Sequence, residues 1–164
     1  VTGMSGVAVT ERECQGQVYP CDADDNTLLV LDFGDNVFGF VYGALAGMLG
    51  NFGRATIFGT RGSIQGGNLN GKPIDYPGRE EVEASKAGDN ILLPHVVGPH
   101  RERGESHVFE DIMQLVDWAR EGKPSLATAE HARHVIEIFE AGYRAAETGA
   151  TQTLTTTFEP PDGA

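Results

Sequence analysis

The chain has 164 residues, enough for one domain with a sizeable core and too few for a complete two-domain enzyme. Its formal charge of -12 repels phosphate backbones and anionic lipid headgroups, which argues against nucleic acid and membrane surfaces as partners. No apolar run reaches the roughly 20 residues that cross a bilayer, and no basic-then-apolar leader is present, so a cytoplasmic protein is expected.

The sequence opens at Val1 directly in strand-like residues and reads as a piece of a longer protein or a processed chain. Residues 7–14 alternate as a strand, and residues 15–25, rich in Gly, Pro and Asp, read as a loop. Cys14 and Cys21 flank that loop; two free thiols in a reducing compartment are expected rather than a disulfide across a hairpin. Residues 26–33 are β-prone, Gly34-Asp35-Asn36 is turn chemistry, and residues 37–43 pair back against the first strand. Residues 54–59 and 63–65 form a second pair around Thr60-Arg61-Gly62. Gly66-Gly67-Asn68 then turns the chain toward a short strand at 69–72. A connection follows to residue 90, and residues 91–93 are a possible last strand.

Two helices come next. In the first, Val108, Phe109, Ile112, Met113, Leu115, Val116 and Ala119 recur at spacings of three and four, and Gly122-Lys123-Pro124 ends it. Thr128 offers a capping oxygen to the second. Ala132, Val135, Ile136, Phe139, Tyr143 and Ala146 read as its buried stripe, and Gly149 stops it. Residues 151–158 are too rich in threonine to continue the helix and read as a closing strand. Residues 159–164 are expected to fray.

Strands followed by helices, without β-α alternation, predict an α+β fold: an open, predominantly antiparallel β-sheet with helices packed on one face. Residues 1–158 read as a single domain. Leu29, Leu31, Phe38, Phe40 and Ile57 are too apolar for one solvated face, so a subunit or domain is expected to cover the other side.

Few residues suggest chemistry. No Gly-x-Gly-x-x-Gly follows a strand, and neither Gly71-Lys72-Pro73 nor Gly122-Lys123-Pro124 continues into the Ser or Thr of a phosphate loop. The chain is therefore not expected to bind a dinucleotide by itself. His131 and His134 are spaced to share a metal, but no third ligand is spaced with them, so no metal is expected and both read as flanking the apolar stripe. Residues 94–106 gather His95, His100, Arg101 and Arg103, with His107 just beyond. Such a loop would hydrogen-bond a hydroxylated or anionic substrate, unless it is a solvated connection with incidental histidines. Glu110 and Asp111 are read as serving the helix dipole. No Gly-x-Ser-x-Gly elbow is present, Cys14 and Cys21 have no basic neighbour in sequence, and no catalytic residue is assigned.

Asp25-Asn26-Thr27 leading into residues 28–33 and Gly34, then Thr56-Ile57-Phe58-Gly59-Thr60-Arg61-Gly62-Ser63-Ile64, then residues 108–112, Glu121-Gly122-Lys123-Pro124, Thr128-Ala129-Glu130-His131-Ala132-Arg133 and residues 146–149 together resemble the C-terminal domain of the Gfo/Idh/MocA oxidoreductases. The resemblance implies an open antiparallel sheet backed by helices, which supplies substrate-facing residues and a subunit interface. It also implies a separate N-terminal Rossmann domain that holds NAD or NADP. The family's nucleotide loop, its Glu-Lys-Pro segment with the catalytic lysine, and its Asp and His on one helix have no counterparts here. What carries over is the stretch before residue 56, where Asn51, Phe52 and Arg54 are the substrate-contacting candidates, with His100 and Arg101 added from the histidine loop.

The expected function is thus the substrate-binding and dimerisation domain of an NAD(P)-dependent dehydrogenase acting on a sugar, polyol or related hydroxylated molecule, inactive when isolated. The alternative is a non-catalytic binding or assembly module that uses the same sheet face. A stand-alone hydrolase built on His100 and His107 is a third reading.

Overall fold

A computed structural model describes residues 1–44, 56–74, 99, 100, 103, 104 and 106–159, with the backbone alone at 106 and 107. In chain order the elements are β1 (Thr2–Gly6), β2 (Glu11–Cys14), β3 (Gln17–Pro20), β4 (Asn26–Asp32), β5 (Phe38–Ala44), β6 (Thr56–Gly59), β7 (Gly62–Gln65), β8 (Asn68–Leu69), β9 (Lys72–Pro73), α1 (Ser106–Glu121) and α2 (Ala129–Thr148). Every strand pair among the described residues is antiparallel, the sheets stay open, and the helices follow the strands, which is the α+β fold expected. The chain divides into two compact units, Val1–Gly50 with Ala127–Ala164, and Asn51–Leu126.

In the first unit β1, β4 and β5 form a sheet with β4 in the centre, and β2 and β3 form a separate hairpin. The β4–β5 turn closes through Val37 N–H donating to Gly34 O at 2.8 Å and Phe33 N–H to Val37 O at 3.0 Å. Gly34, Asp35 and Asn36 all have positive φ, the residue types that tolerate it, and Asp32 Oδ1 accepts from the Gly34 N–H. Gln15 and Gly16, at φ 53° and 77°, form the two-residue turn of β2–β3, so the stretch read as loop contains a strand of its own.

The strand predicted at 7–14 is broken, and Asp25 explains why. Its carboxylate accepts from Ala8 N–H at 2.7 Å, Val9 N–H at 3.0 Å and the Arg12 guanidinium at 2.7 Å, which bends residues 7–10 around it. With 3 % of its side chain exposed, Asp25 is held below the usual carboxylate range by the Ala8 amide first, then by the Val9 amide and Arg12. Cys14 is exposed, Cys21 half-buried, and both are free.

Helix α2 is capped as its sequence predicts. Thr128 Oγ1 accepts from His131 N–H at 3.2 Å, and Gly149, at φ 66°, returns its N–H to Ala145 O at 2.9 Å. Its buried face differs from the expected one. Ala141, Gly142 and Ala145 are buried, whereas Ile136, Phe139 and Tyr143 remain 57 %, 46 % and 46 % exposed. The small residues win because they let the helix approach β1 and β4 closely, with Leu29 seated against Gly142 at 2 % exposure.

Residues 151–159 are extended rather than a laddered closing strand. Val1 and Gln152 exchange both backbone hydrogen bonds, and beyond them Glu137 intervenes: its carboxylate accepts from the N–H and hydroxyl groups of Thr155 and Thr156. Four donors hold the Glu137 carboxyl down to about 2, led by the two hydroxyls.

The second unit contains the β6-β7-β8-β9 sheet and α1. The strand expected at 69–72 is two short strands, because Asn70 and Gly71, at φ 51° and 77°, form a tight Asn-Gly turn in its middle. Asn70 Oδ1 accepts from Ser63 N–H at 2.9 Å, and a Cβ at Gly62 would strike that side chain. Gly122, at φ 71°, ends α1 with its N–H on Trp118 O. The strand read at 91–93 lies outside the described residues, and no described helix is long and apolar enough to cross a membrane.

Candidate functional site

Of the substrate-facing candidates, His100 is described, while Asn51, Phe52, Arg54 and Arg101 lie outside the described residues, as does His95. His100 sits in a short 3₁₀ turn ahead of α1, and Arg103 closes the next turn by donating its N–H to His100 O at 3.2 Å. These turns hold the imidazole against the side of α1.

Four side chains meet there. His100 Nδ1 lies 2.6 Å from Glu110 Oε2, with 33 % and 13 % of the two side chains exposed. The imidazole packs edge-on to Phe109, 4.9 Å between centroids at 77°, and the Arg103 guanidinium stands 4.5 Å from the centre of the same ring. The sequence alone assigns Glu110 to the helix dipole. It stands beyond the first turn of a helix that begins at Ser106, and its carboxylate instead engages His100.

The chemistry follows from the pairing. A carboxylate can only accept, so Nδ1 carries the hydrogen and Nε2 is the nitrogen available to a ligand. Neutral, Nε2 accepts from a hydroxyl; protonated, it donates to an anion. Arg103 makes no ion pair among the described residues, and its aromatic seat leaves guanidinium donors for a ligand oxygen. The arrangement suits recognition of a hydroxylated or anionic small molecule. The sequence marks His100 and Arg103 as candidates but gives Glu110 a dipole role and Phe109 a place in the apolar stripe, because their contacts depend on how the preceding turns fold back.

In the same unit, Ile57, Thr60, Arg61, Ser63, Ile64 and Asn70 line an open depression on the four-stranded sheet. In the other unit, His131 and His134 are tied to the chain's own tail. His131 stacks on Phe158 at 4.4 Å, His134 tilts against the same ring, and His134 Nδ1 meets Thr156 Oγ1 at 2.8 Å. No three of His, Cys, Asp and Glu come together as a metal site among the described residues.

The described residues do not fit a nicotinamide dinucleotide. Among the described strands none is parallel, so no β-α-β crossover supplies a phosphate cradle, and the α2 N-terminus is already occupied by the Thr128 oxygen and carries Glu130.

Compared with known proteins, the chain matches the family model described as "Oxidoreductase family, C-terminal alpha/beta domain", that of the Gfo/Idh/MocA proteins, over residues 4–154. No curated protein and no solved structure matches it.

Proposed function

Since the chain belongs to the Gfo/Idh/MocA oxidoreductase family as its C-terminal α/β domain, we propose that it forms the substrate-binding and dimerisation part of an NAD(P)-dependent dehydrogenase acting on a sugar, polyol or related hydroxylated molecule. The family match carries this reading. An N-terminal Rossmann domain of the parent chain holds NAD or NADP and supplies the hydride chemistry; the present chain positions the substrate. His100, its tautomer set by Glu110, accepts from a substrate hydroxyl through Nε2, and Arg103, seated on Phe109, binds a second oxygen. Asn51, Phe52, Arg54 and Arg101 are the further candidates for substrate contact. Holding a hydroxyl in a fixed direction is how such a domain aids a hydride transfer made elsewhere.

Dimerisation uses the sheet face turned away from α2. Gly3 and Leu29 face the helix, so alternation puts Met4, Leu28, Val30, Phe38, Phe40 and Tyr42 on the opposite face. Met4, Phe38 and Phe40 are 66 %, 67 % and 64 % exposed there, an apolar surface that a second copy covers. The rival assembly module uses the same face without catalysis. Nicotinamide reduction by the parent chain with a panel of sugars and polyols separates the two, and substrate-dependent reduction whose KM rises on replacing His100 supports the dehydrogenase. A parent chain that dimerises and shows no turnover with any of them sinks it.

A further inference from the structure

Val1 lies between two neighbours that both run past it. On one side β1 pairs with β4 in a register that sets Thr2 opposite Val30, hence Val1 opposite Leu31 and the preceding position opposite Asp32. β4 continues to Asp32 and is paired on its far side with β5 up to Asp32↔Phe38, whereas on its β1 side no described residue pairs with Asp32. On the other side Val1 N donates to Gln152 O at 2.7 Å and Gln152 N–H to Val1 O at 2.8 Å, the double exchange of an antiparallel hydrogen-bonded pair. The contact of Thr2 Oγ1 with Thr151 Oγ1, 2.8 Å, confirms the register one step on.

Carried backward, the same register sets Thr153 opposite the residue immediately before Val1, and Leu154 opposite the one before that. Exposure alternates along 151–154, with Gln152 and Leu154 half-buried and Thr151 and Thr153 exposed, as a strand half-buried on one face requires. The Leu154 N–H and C=O therefore point the same way as those of Gln152, and among the described residues they have no partner. The ladder has a defined end. Thr155 and Thr156 both give their amides to Glu137, which consecutive residues of a regular strand cannot do, so pairing stops after Leu154.

We infer that the slot between Asp32 and residues 153–154 is the seat of the two residues that precede Val1 in the parent chain, which prolong β1 and turn 151–154 into the outer strand of a four-stranded sheet. The inference rests on the reading of this chain as the C-terminal part of a longer protein. The residue immediately before Val1 falls on the exposed face with Thr2 and Met4, and the one before it on the helix-facing side with Val1, Gly3 and Leu154. The β1 extension then couples the entry of the chain into this domain to its exit from α2.

The test uses the full parent chain. The residue immediately before Val1 and Thr153 form a non-hydrogen-bonded pair, whose Cα atoms stand about 4.5 Å apart, within disulfide reach. Replacing both by cysteine should give near-complete intramolecular cross-linking under mild oxidation, mapped by peptide mass spectrometry. Pairing the same first position with Thr157→Cys should give at least about tenfold less. In the unmodified parent, the Leu154 amide should exchange at least about a hundredfold more slowly than that of Thr157, a readout independent of any variant's folding. Equal cross-linking at 153 and 157, or equal exchange at 154 and 157, overturns the inference. Dehydrogenase activity reports separately: an active parent lacking the cross-link refutes the strand extension alone, and a cross-linked parent without activity refutes the enzyme reading alone.

Discussion

Gly3 of β1 and Gly142 of α2 stand so close that a Cβ on Gly3 would come within 2.6 Å of the Gly142 carbonyl oxygen. Built on Gly142 instead, the Cβ would run into the Leu29 side chain. This approach seats the helix on the sheet, and it sets two effects against each other. Alanine at 142 gains up to about 1 kcal/mol of helix propensity but overfills a packed contact at about 1–3 kcal/mol. Gly142→Ala should therefore lower the unfolding free energy by about 1 kcal/mol, and Leu29→Ala should cancel the clash in the double variant. Urea unfolding of the four proteins checks this; additive losses would show that Leu29 and Gly142 do not share the contact.

Glu137 should make stability depend on acid in a defined window. Its carboxyl lies at about 2 in the folded chain against an ordinary 4.5. The folded value is depressed, so its contribution is fully present above pH 4.5 and is lost as pH falls toward 2. Across that interval the unfolded chain binds up to about one proton more than the folded chain. Glu137→Gln should flatten the curve of unfolding free energy against pH there and lower its neutral plateau, as measured by denaturant titration at stepped pH. An unchanged slope would remove Glu137 from the account of the tail.

Asp25 should govern residues 7–10. Asp25→Ala leaves the Ala8 and Val9 amides and the Arg12 guanidinium without the carboxylate they share, and those two amides should exchange about tenfold or more faster. Asp25→Asn, which retains one acceptor oxygen, should fall between. Hydrogen exchange resolved by residue distinguishes the three proteins.

The parts of the fold legible in sequence are those fixed locally. Gly34-Asp35-Asn36, the Thr128 cap and Gly149 act through their own neighbours, and the structure places each as read. The face that α2 buries was hidden because periodicity weights large side chains, whereas Ala141, Gly142 and Ala145 are chosen for closeness of approach. The threonines of 151–158 carry a β preference that Glu137 overrides at 155 and 156 with hydrogen bonds from eighteen and nineteen residues away. At the site, His100 was legible as a titratable loop residue. Glu110, ten positions on, was not, since its spacing along the chain does not reveal that its carboxylate meets His100.

The His100 pair should act on substrate binding more than on turnover. On the proposed reading, His100→Gln in the parent chain takes away one hydrogen bond to substrate, and KM should rise about five- to tenfold with kcat changed less. Glu110→Gln should have a smaller effect, since an amide also accepts from Nδ1–H. Glu110→Ala should approach the His100 loss.

The most direct measurement is steady-state reduction of NAD or NADP by the parent chain with sugars and polyols, comparing the intact protein with its His100→Gln variant. Substrate-dependent reduction with a raised KM in the variant is the result this account predicts. Reduction that proceeds at the same KM without the His100 imidazole, or no reduction with any hydroxylated substrate, would contradict it.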